Sequence, residues 1–192
     1  MKTTIPHLIK HNADNYSDEI AIREKKFGIW RIKTWKDCYE EIQNISLGLI
    51  GKGIKEKTTI AIIGNNTPRW TLSEIAVQSL GGVPLGLYSD ALESEIIYLL
   101  DYTGCRTIFV EDEEQADKIM SLPNSKSKID LIIYDEPKGM NKYNDNRLIA
   151  YKDLIEIGSK SKKINNSLYQ KVLERINEDD TSIFCPTSGT TA

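Results

Sequence analysis

The feature that most restricts the fold of this chain is an alternation between short β-branched runs and amphipathic helical segments. Residues 58–63 form a continuous run of threonine, isoleucine and alanine that ends abruptly in the turn-like sequence Gly-Asn-Asn-Thr-Pro. Such a run is typical of a strand that is buried on both faces. Further strand-like runs follow along the chain, at residues 83–88, 107–110, 131–134 and 182–185.

Helical periodicity fills the intervals between these runs. Residues 36–51 place apolar side chains at three- and four-residue steps, a pattern that predicts an amphipathic helix. Further helices are expected at residues 113–120, 151–157 and 168–176. Three helix starts carry polar residues at the spacing of a capping box, namely Thr34 with Asp37, Thr71 with Glu74, and Asp90 with Glu93.

Two short strand candidates precede the first of these helices. Residues 20–23 and 29–32 are separated by the turn-like sequence Lys-Lys-Phe-Gly, which predicts a hairpin. Two polar stretches, residues 136–147 and 160–166, are predicted to be loops. Strands that alternate with helices through short connections require crossovers, so we predict an α/β fold with a largely parallel sheet flanked by helices.

Charge and cysteine content exclude several classes of protein. The 25 Lys and Arg residues are offset by 28 Asp and Glu residues, giving a net charge of -3 with both signs interspersed, which argues against a nucleic-acid-binding protein. Three cysteines far apart indicate neither a disulfide framework nor a zinc site, and a reducing, cytoplasmic location is expected. No apolar stretch approaches ~18 residues, so we predict no signal peptide and no transmembrane segment, and leave peripheral membrane contact open.

Several residues that could carry chemistry are better suited to a structural role. His7 and His11 are four residues apart without a third ligand, so no metal site is assigned. The acidic run at residues 111–114 is interpreted as a solvated helix N-terminus. Cys185 has no histidine near it in sequence and is expected to be a buried strand residue. The tryptophans are expected to pack in the core, at Trp30, Trp35 and Trp70.

The last residues of the chain form a cluster of hydroxyls around one glycine. They are Thr187, Ser188, Gly189, Thr190 and Thr191. Successive backbone N–H groups and hydroxyls in such a loop can surround an anion, and the glycine allows a close approach that a Cβ would block. The spacing and lysine of a Walker loop are missing. Composition alone therefore leaves two interpretations open, a plain turn rich in Ser and Thr and a phosphate-binding loop.

This cluster resembles the signature loop of the adenylate-forming enzymes, which include acyl-CoA synthetases, luciferase-like ligases and the adenylation domains of peptide synthetases. The resemblance extends through most of the chain in the order usual for the N-terminal domain of that family. It is carried by residues 34–35, 60–66, 68–70, 82–84 and 86–88. Residues 109–115 and 131–135 are most similar to bacterial long-chain fatty-acid CoA ligases.

The resemblance implies an activity and a set of small-molecule partners. Such enzymes use ATP and Mg²⁺ to convert a carboxylic acid to an acyl-adenylate, release pyrophosphate, and pass the acyl group to CoA. A long-chain fatty acid would be the substrate here. The resemblance assigns residues 187–191 to the ATP phosphates, with the hydroxyls donating hydrogen bonds and Gly189 allowing the backbone to approach.

The resemblance also implies that the chain is incomplete. In the family the loop continues with glycine, a variable residue, proline and lysine, and Ala192 stands where glycine is more usual. We therefore expect residues 1–192 to be a partial N-terminal AMP-binding domain that ends inside the ATP phosphate loop and is inactive alone, with its catalytic residues unknown. Two alternatives stay open: another adenylate-forming ligase, and a non-catalytic α/β ligand-binding module. A reading frame that continues past Ala192 with Pro-Lys would favour a synthetase, and a stop codon there would favour the module.

Overall fold

The computed structural model describes residues 2–123 and 128–187 of the chain. The chain begins with helix α1 (Ile5–Asn15) and an antiparallel hairpin of β1 (Ile20–Lys26) and β2 (Ile29–Thr34). The remaining strands are β3 (Thr59–Ile63), β4 (Val83–Leu87), β5 (Thr107–Val110), β6 (Leu131–Tyr134) and β7 (Leu148–Ala150). The remaining helices are α2 (Trp35–Gly51), α3 (Pro68–Ser79), α4 (Glu93–Thr103), α5 (Glu113–Met120), α6 (Tyr151–Ile164) and α7 (Leu168–Leu173).

Strands β3 to β7 form one parallel five-stranded sheet in the order β4-β3-β5-β6-β7. Apolar side chains of α2, α3 and α6 pack in one core cluster on one face of the sheet, and those of α4 and α5 pack in a second cluster on the other. All five residues of β3 are buried, because helices cover both faces of this central strand. The predicted α/β fold with a parallel sheet flanked by helices is thereby confirmed.

The helix starts agree with the sequence at one position and differ at two. Thr34 and Asp37 form the expected reciprocal capping box of α2. The cap of α3 is Thr67 rather than Thr71, because Pro68 takes the first helical position, where its fixed φ and missing N–H cost nothing. Helix α4 starts after Leu92, whose N–H donates to Glu95, so the expected capping by Asp90 and Glu93 is wrong. Asp90 lies instead in a turn in which the N–H of Ala91 donates to Tyr88.

Other parts of the chain also differ from the expectations. Helix α1 and strand β7 were not indicated by the sequence patterns, and residues 160–163 are the last turn of α6 rather than a loop. Residues 182–185 make an isolated parallel bridge between Phe184 and Leu85 instead of a full strand. Cys185 is consequently exposed. Trp30 is 63% exposed because it lies on the hairpin away from the core, whereas Trp70 packs against the core as expected.

Helices α2 and α6 approach each other closely through two glycines. A Cβ at Gly48 would collide with the carbonyl oxygen of Leu154, and a Cβ at Gly158 would collide with the carbonyl oxygen of Asn44. Backbone atoms cannot move aside as the end of a flexible side chain can. The distance between these two helices is therefore set by the absence of side chains at both positions.

We predict that Gly158→Ala lowers the free energy of unfolding by about 2 kcal/mol or more, because the added methyl forces the α2 backbone away. Lys160→Ala, an exposed substitution on the same helix, should change it by less than about 0.5 kcal/mol. Urea denaturation followed by circular dichroism measures both. Equal stabilities of the two variants would contradict the close approach.

We also predict that Thr67→Ala lowers the free energy of unfolding by about 1 kcal/mol, because the Thr67 hydroxyl accepts a hydrogen bond from the N–H of Trp70. The matched control is Thr71→Ala, which changes an exposed side chain within the same helix. Thermal or urea unfolding of the two variants should rank Thr67→Ala as the less stable. The reverse order would show that Thr71, and not Thr67, caps the N-terminus of α3.

Candidate functional site

The sheet has a change of winding direction between β3 and β5. The chain leaves β3 toward β4 on one side and then returns to β5 on the other side of β3. In open parallel sheets the connections diverge at such a point, and a crevice opens beyond the carboxyl ends of the two strands. The residues that follow β3 and β5, Gly64, Asn65 and Glu111, lie at this crevice.

A carboxylate bridges the crevice and holds its two sides together. Glu111 Oε2 accepts hydrogen bonds from the backbone N of Asn65 at 2.6 Å and from Asn65 Nδ2 at 2.9 Å. Gly64 has a φ of +151°, and a Cβ there would lie 2.7 Å from Glu111 Cβ. The acidic residues 111–114 thus do not all have the same role. Asp112 caps α5 by accepting from the N–H of Gln115, whereas Glu111 is a partner of the β3 turn rather than a solvated side chain.

A second set of polar contacts runs from the crevice to the hairpin. Arg69, in the first turn of α3, forms an ion pair with Asp135 after β6. Its guanidinium also lies 4.9 Å from the ring centre of Tyr151. Tyr151 donates to Glu41 Oε1 at 3.0 Å, and Lys33 donates to Glu41 Oε2 at 2.5 Å. Burial raises the pKa of Tyr151 well above its usual range, so the phenol keeps the proton that it donates.

Two clefts border these residues. One, of about 650 Å³, lies between the hairpin and the carboxyl ends of the strands. Its charged lining includes Glu24, Arg31, Lys33, Arg69, Glu111 and Asp135. The other, of about 340 Å³, lies beside β4 and is lined by Asn65, Trp70, Tyr88, Cys185 and Pro186, among others.

The segment that leads to the hydroxyl cluster runs along β4 toward the same edge of the sheet. The N–H of Phe184 donates to the carbonyl of Pro84 at 2.8 Å. Upstream, Gln78 Nε2 donates to the carbonyl of Ser182 at 3.0 Å and lies 3.2 Å from its hydroxyl. Thr187 is exposed at the end of this segment. Ser188, Gly189, Thr190 and Thr191 lie outside the described residues.

A metal ion is held by several ligand side chains that lie close together. Within residues 2–123 and 128–187, no three His, Cys, Asp or Glu side chains are grouped so that they could hold one. His7 Nδ1 lies 2.6 Å from the Thr4 hydroxyl, and His11 Nδ1 lies 3.2 Å from Asn15 Nδ2, so each histidine has a local partner. Mg²⁺ commonly binds through one or two protein carboxylates together with the phosphates of a substrate. The carboxylates at the strand ends could supply such ligands. In the same described ranges, no helix has the length and apolarity needed to cross a membrane.

Comparison with known sequences places the chain in a family. The sequence profile of the AMP-binding enzyme family matches residues 9–192. The chain belongs to that family. The resemblance to adenylate-forming enzymes, described above from the motifs, is therefore confirmed.

Among its relatives, the long-chain-fatty-acid–CoA ligase ACSBG2 of Homo sapiens is 24% identical over 188 residues, which cover 98% of this chain and 28% of the relative. ACSBG1 of Homo sapiens is 23% identical over 192 residues, covering 98% of this chain and 25% of the relative. The chain thus spans about a quarter of the length of these curated relatives.

Solved structures share the fold. A long-chain-fatty-acid CoA ligase from Rhodopseudomonas palustris, described as putative, superposes with a TM-score of 0.66 at 18% identity, over 80% of this chain and 36% of that one. The anthranilate CoA ligase AuaEII, in complex with anthranoyl-AMP, superposes with a TM-score of 0.69 at 15% identity, over 81% and 28%. Coronafacic acid ligase from Pectobacterium brasiliense gives 0.68 at 19% identity, over 81% and 29%.

We predict that Tyr151→Phe lowers the free energy of unfolding by about 1 kcal/mol, because the partly buried carboxylate of Glu41 loses its phenolic donor. Tyr102→Phe removes the same hydroxyl from a side chain that is 76% exposed and serves as the control. Equilibrium urea unfolding compares the two. If the Tyr151→Phe protein is as stable as the control, the hydrogen bond between Tyr151 and Glu41 does not help to hold α2 and α6 together.

Proposed function

We propose that this chain takes part in the ATP-dependent activation of a carboxylic acid to an acyl-adenylate, followed by transfer of the acyl group to CoA. The observation that carries the proposal is the family match over residues 9–192, which includes the hydroxyl cluster. The hydrogen bonds that hold residues 182–184 beside α3 and β4 support it, because the residues that follow, Cys185 and Pro186, line a cleft together with Asn65 at the crevice. We further propose that residues 1–192 constitute the N-terminal part of an AMP-binding domain.

In this proposal, Thr187, Ser188, Thr190 and Thr191 donate hydrogen bonds to the ATP phosphates, and Gly189 lets the backbone approach them. Donors that are fixed before the reaction stabilise the charge that develops as the α-phosphate is attacked by the substrate carboxylate. The chain's contribution is then to hold the phosphates in line for that attack. Mg²⁺ bound with ATP would supply further neutralisation of phosphate charge.

We propose a long-chain fatty acid as the substrate. The names of the relatives ACSBG2 and ACSBG1 support this choice. A different carboxylic acid is the second candidate, because AuaEII and coronafacic acid ligase share the fold and are named for other acids. The same reaction would serve either substrate, so the two candidates differ only in the acid that is activated.

We predict that replacing both Thr190 and Thr191 by Val lowers acid-dependent ATP–pyrophosphate exchange at least tenfold in the full-length product of the gene. Hydrogen bonds to a charged group contribute ~1.5–3 kcal/mol each, and valine keeps the shape of threonine without its hydroxyl. Thr181→Val, an exposed substitution on the same segment, is the matched control. Unchanged exchange in the double variant would show that the hydroxyls of Thr190 and Thr191 do not bind the ATP phosphates.

A panel of acids separates the two substrate candidates in the same assay. Palmitate should support faster exchange than anthranilate if the substrate is a long-chain fatty acid. Preference for an aromatic or short acid would retain the reaction and reject the fatty acid. Absence of exchange with every acid would reject the proposed activity itself.

A further inference from the structure

The hairpin formed by β1 and β2 has two chemically different faces. Cross-strand partners share a face, and successive residues alternate between faces. The pairs Ile22–Lys33, Glu24–Arg31 and Lys26–Ile29 share one face, and each contributes at least one side chain to the 650 Å³ cleft, which makes theirs the inner face. The pairs Arg23–Ile32 and Lys25–Trp30 occupy the other face, called here the outer face, although Ile32 also borders the cleft.

The outer face and the turn of the hairpin expose large apolar side chains. Phe27 in the turn is 88% exposed and Trp30 is 63% exposed. Ile32 on the outer face is 56% exposed, and Ile29, which lies next to the turn on the inner face, is 67% exposed. Single exposed apolar residues are ordinary, but several on one projecting element mark a surface that interacts with something apolar.

The same element carries a concentration of positive charge. Residues 23–33 contain five basic residues and one acidic residue, a net charge of +4, whereas the whole chain has a net charge of -3. Two of the five, Arg23 and Lys25, lie on the outer face, and the other three lie on the inner face. On the outer face, Lys25 Nζ lies 5.9 Å from the centre of the Trp30 ring. Lysine alone could serve to block pairing at a strand edge. That role does not account for the exposed Phe27 and Trp30.

We propose that the outer face and turn of this hairpin dock on an anionic lipid surface. Aromatic rings prefer the region between headgroups and acyl chains, and each basic residue near such a surface is attracted to anionic headgroups. Reversible membrane binding usually needs both an apolar and a basic contribution, and this face supplies the two together. Protein interfaces, by contrast, are depleted of lysine at their centres.

Docking in this way has a geometric consequence. The inner face of the same two strands lines the cleft at the carboxyl ends of β3, β5 and β6. Lipid contact through the outer face would therefore hold the cleft beside the membrane surface without blocking it. Lipid binding is independent of any acyl-CoA activity, so its test does not depend on the function proposed above.

The test is sedimentation of the full-length gene product with vesicles of phosphatidylcholine, with and without phosphatidylglycerol. The variant Phe27→Asn/Trp30→Thr removes both aromatic rings. It retains the turn, because Phe27 has a φ of +51°, a conformation that asparagine tolerates. The control Tyr98→Ser/Tyr102→Ser removes another pair of exposed aromatic rings, on α4.

We expect binding to vesicles that contain phosphatidylglycerol, and a partition coefficient about tenfold lower for the hairpin variant but unchanged for the control. Arg23→Gln/Lys25→Gln should reduce binding to the anionic vesicles by about tenfold. Brominated lipids should quench tryptophan emission in the parent protein, and Trp30→Phe should abolish that quenching.

Three results would overturn the proposal. The first is equal binding of the parent protein to neutral and anionic vesicles, or no binding to either. The second is an equal loss for the hairpin variant and its Tyr98/Tyr102 control. The third is a lipid-free dimer that the hairpin variant disrupts, which would assign the face to a second copy of the protein.

Discussion

The close approach of α2 and α6 at Gly48 and Gly158 is the constraint on which the arrangement of the site depends. Because neither glycine carries a side chain, the two helix backbones come close enough for a residue of each to share a hydrogen bond near the carboxyl edge of the sheet. Tyr151 of α6 donates there to Glu41 of α2, and Lys33 of the hairpin binds the same carboxylate. The helix contact and the Lys33–Glu41 ion pair together connect the hairpin to the crevice.

The polar groups at the crevice largely satisfy one another. Arg69 is paired with Asp135, and Glu111 accepts from both the backbone and the side chain of Asn65. A phosphate that enters such a site would compete with these carboxylates for the available donors. Binding an anion therefore calls for donors beyond these pairs, and in the proposed function the hydroxyl and N–H groups that follow Pro186 provide them.

The sequence was sufficient for features that depend on neighbouring residues, and insufficient for those that depend on distant ones. The buried run at β3 and the capping box of Thr34 and Asp37 are local patterns, and both were predicted correctly. Thr67 and Thr71 are equally good caps by type, and only the position of Pro68 decides between them. The Glu41–Tyr151 bond joins residues 110 positions apart, which no local periodicity reveals.

The same division applies to the site. The hydroxyl cluster is contiguous and could be recognised by its composition and its resemblance to a family, whereas the bridge from Glu111 to Asn65 could not, because it spans the ends of two strands. A signal for it did exist. Asn65 and Glu111 each follow a buried strand directly, and adjacent parallel strands bring such positions to one edge. When polar residues directly follow neighbouring parallel strands in a sequence, hydrogen bonds between them should therefore be considered before any of them is interpreted as solvated.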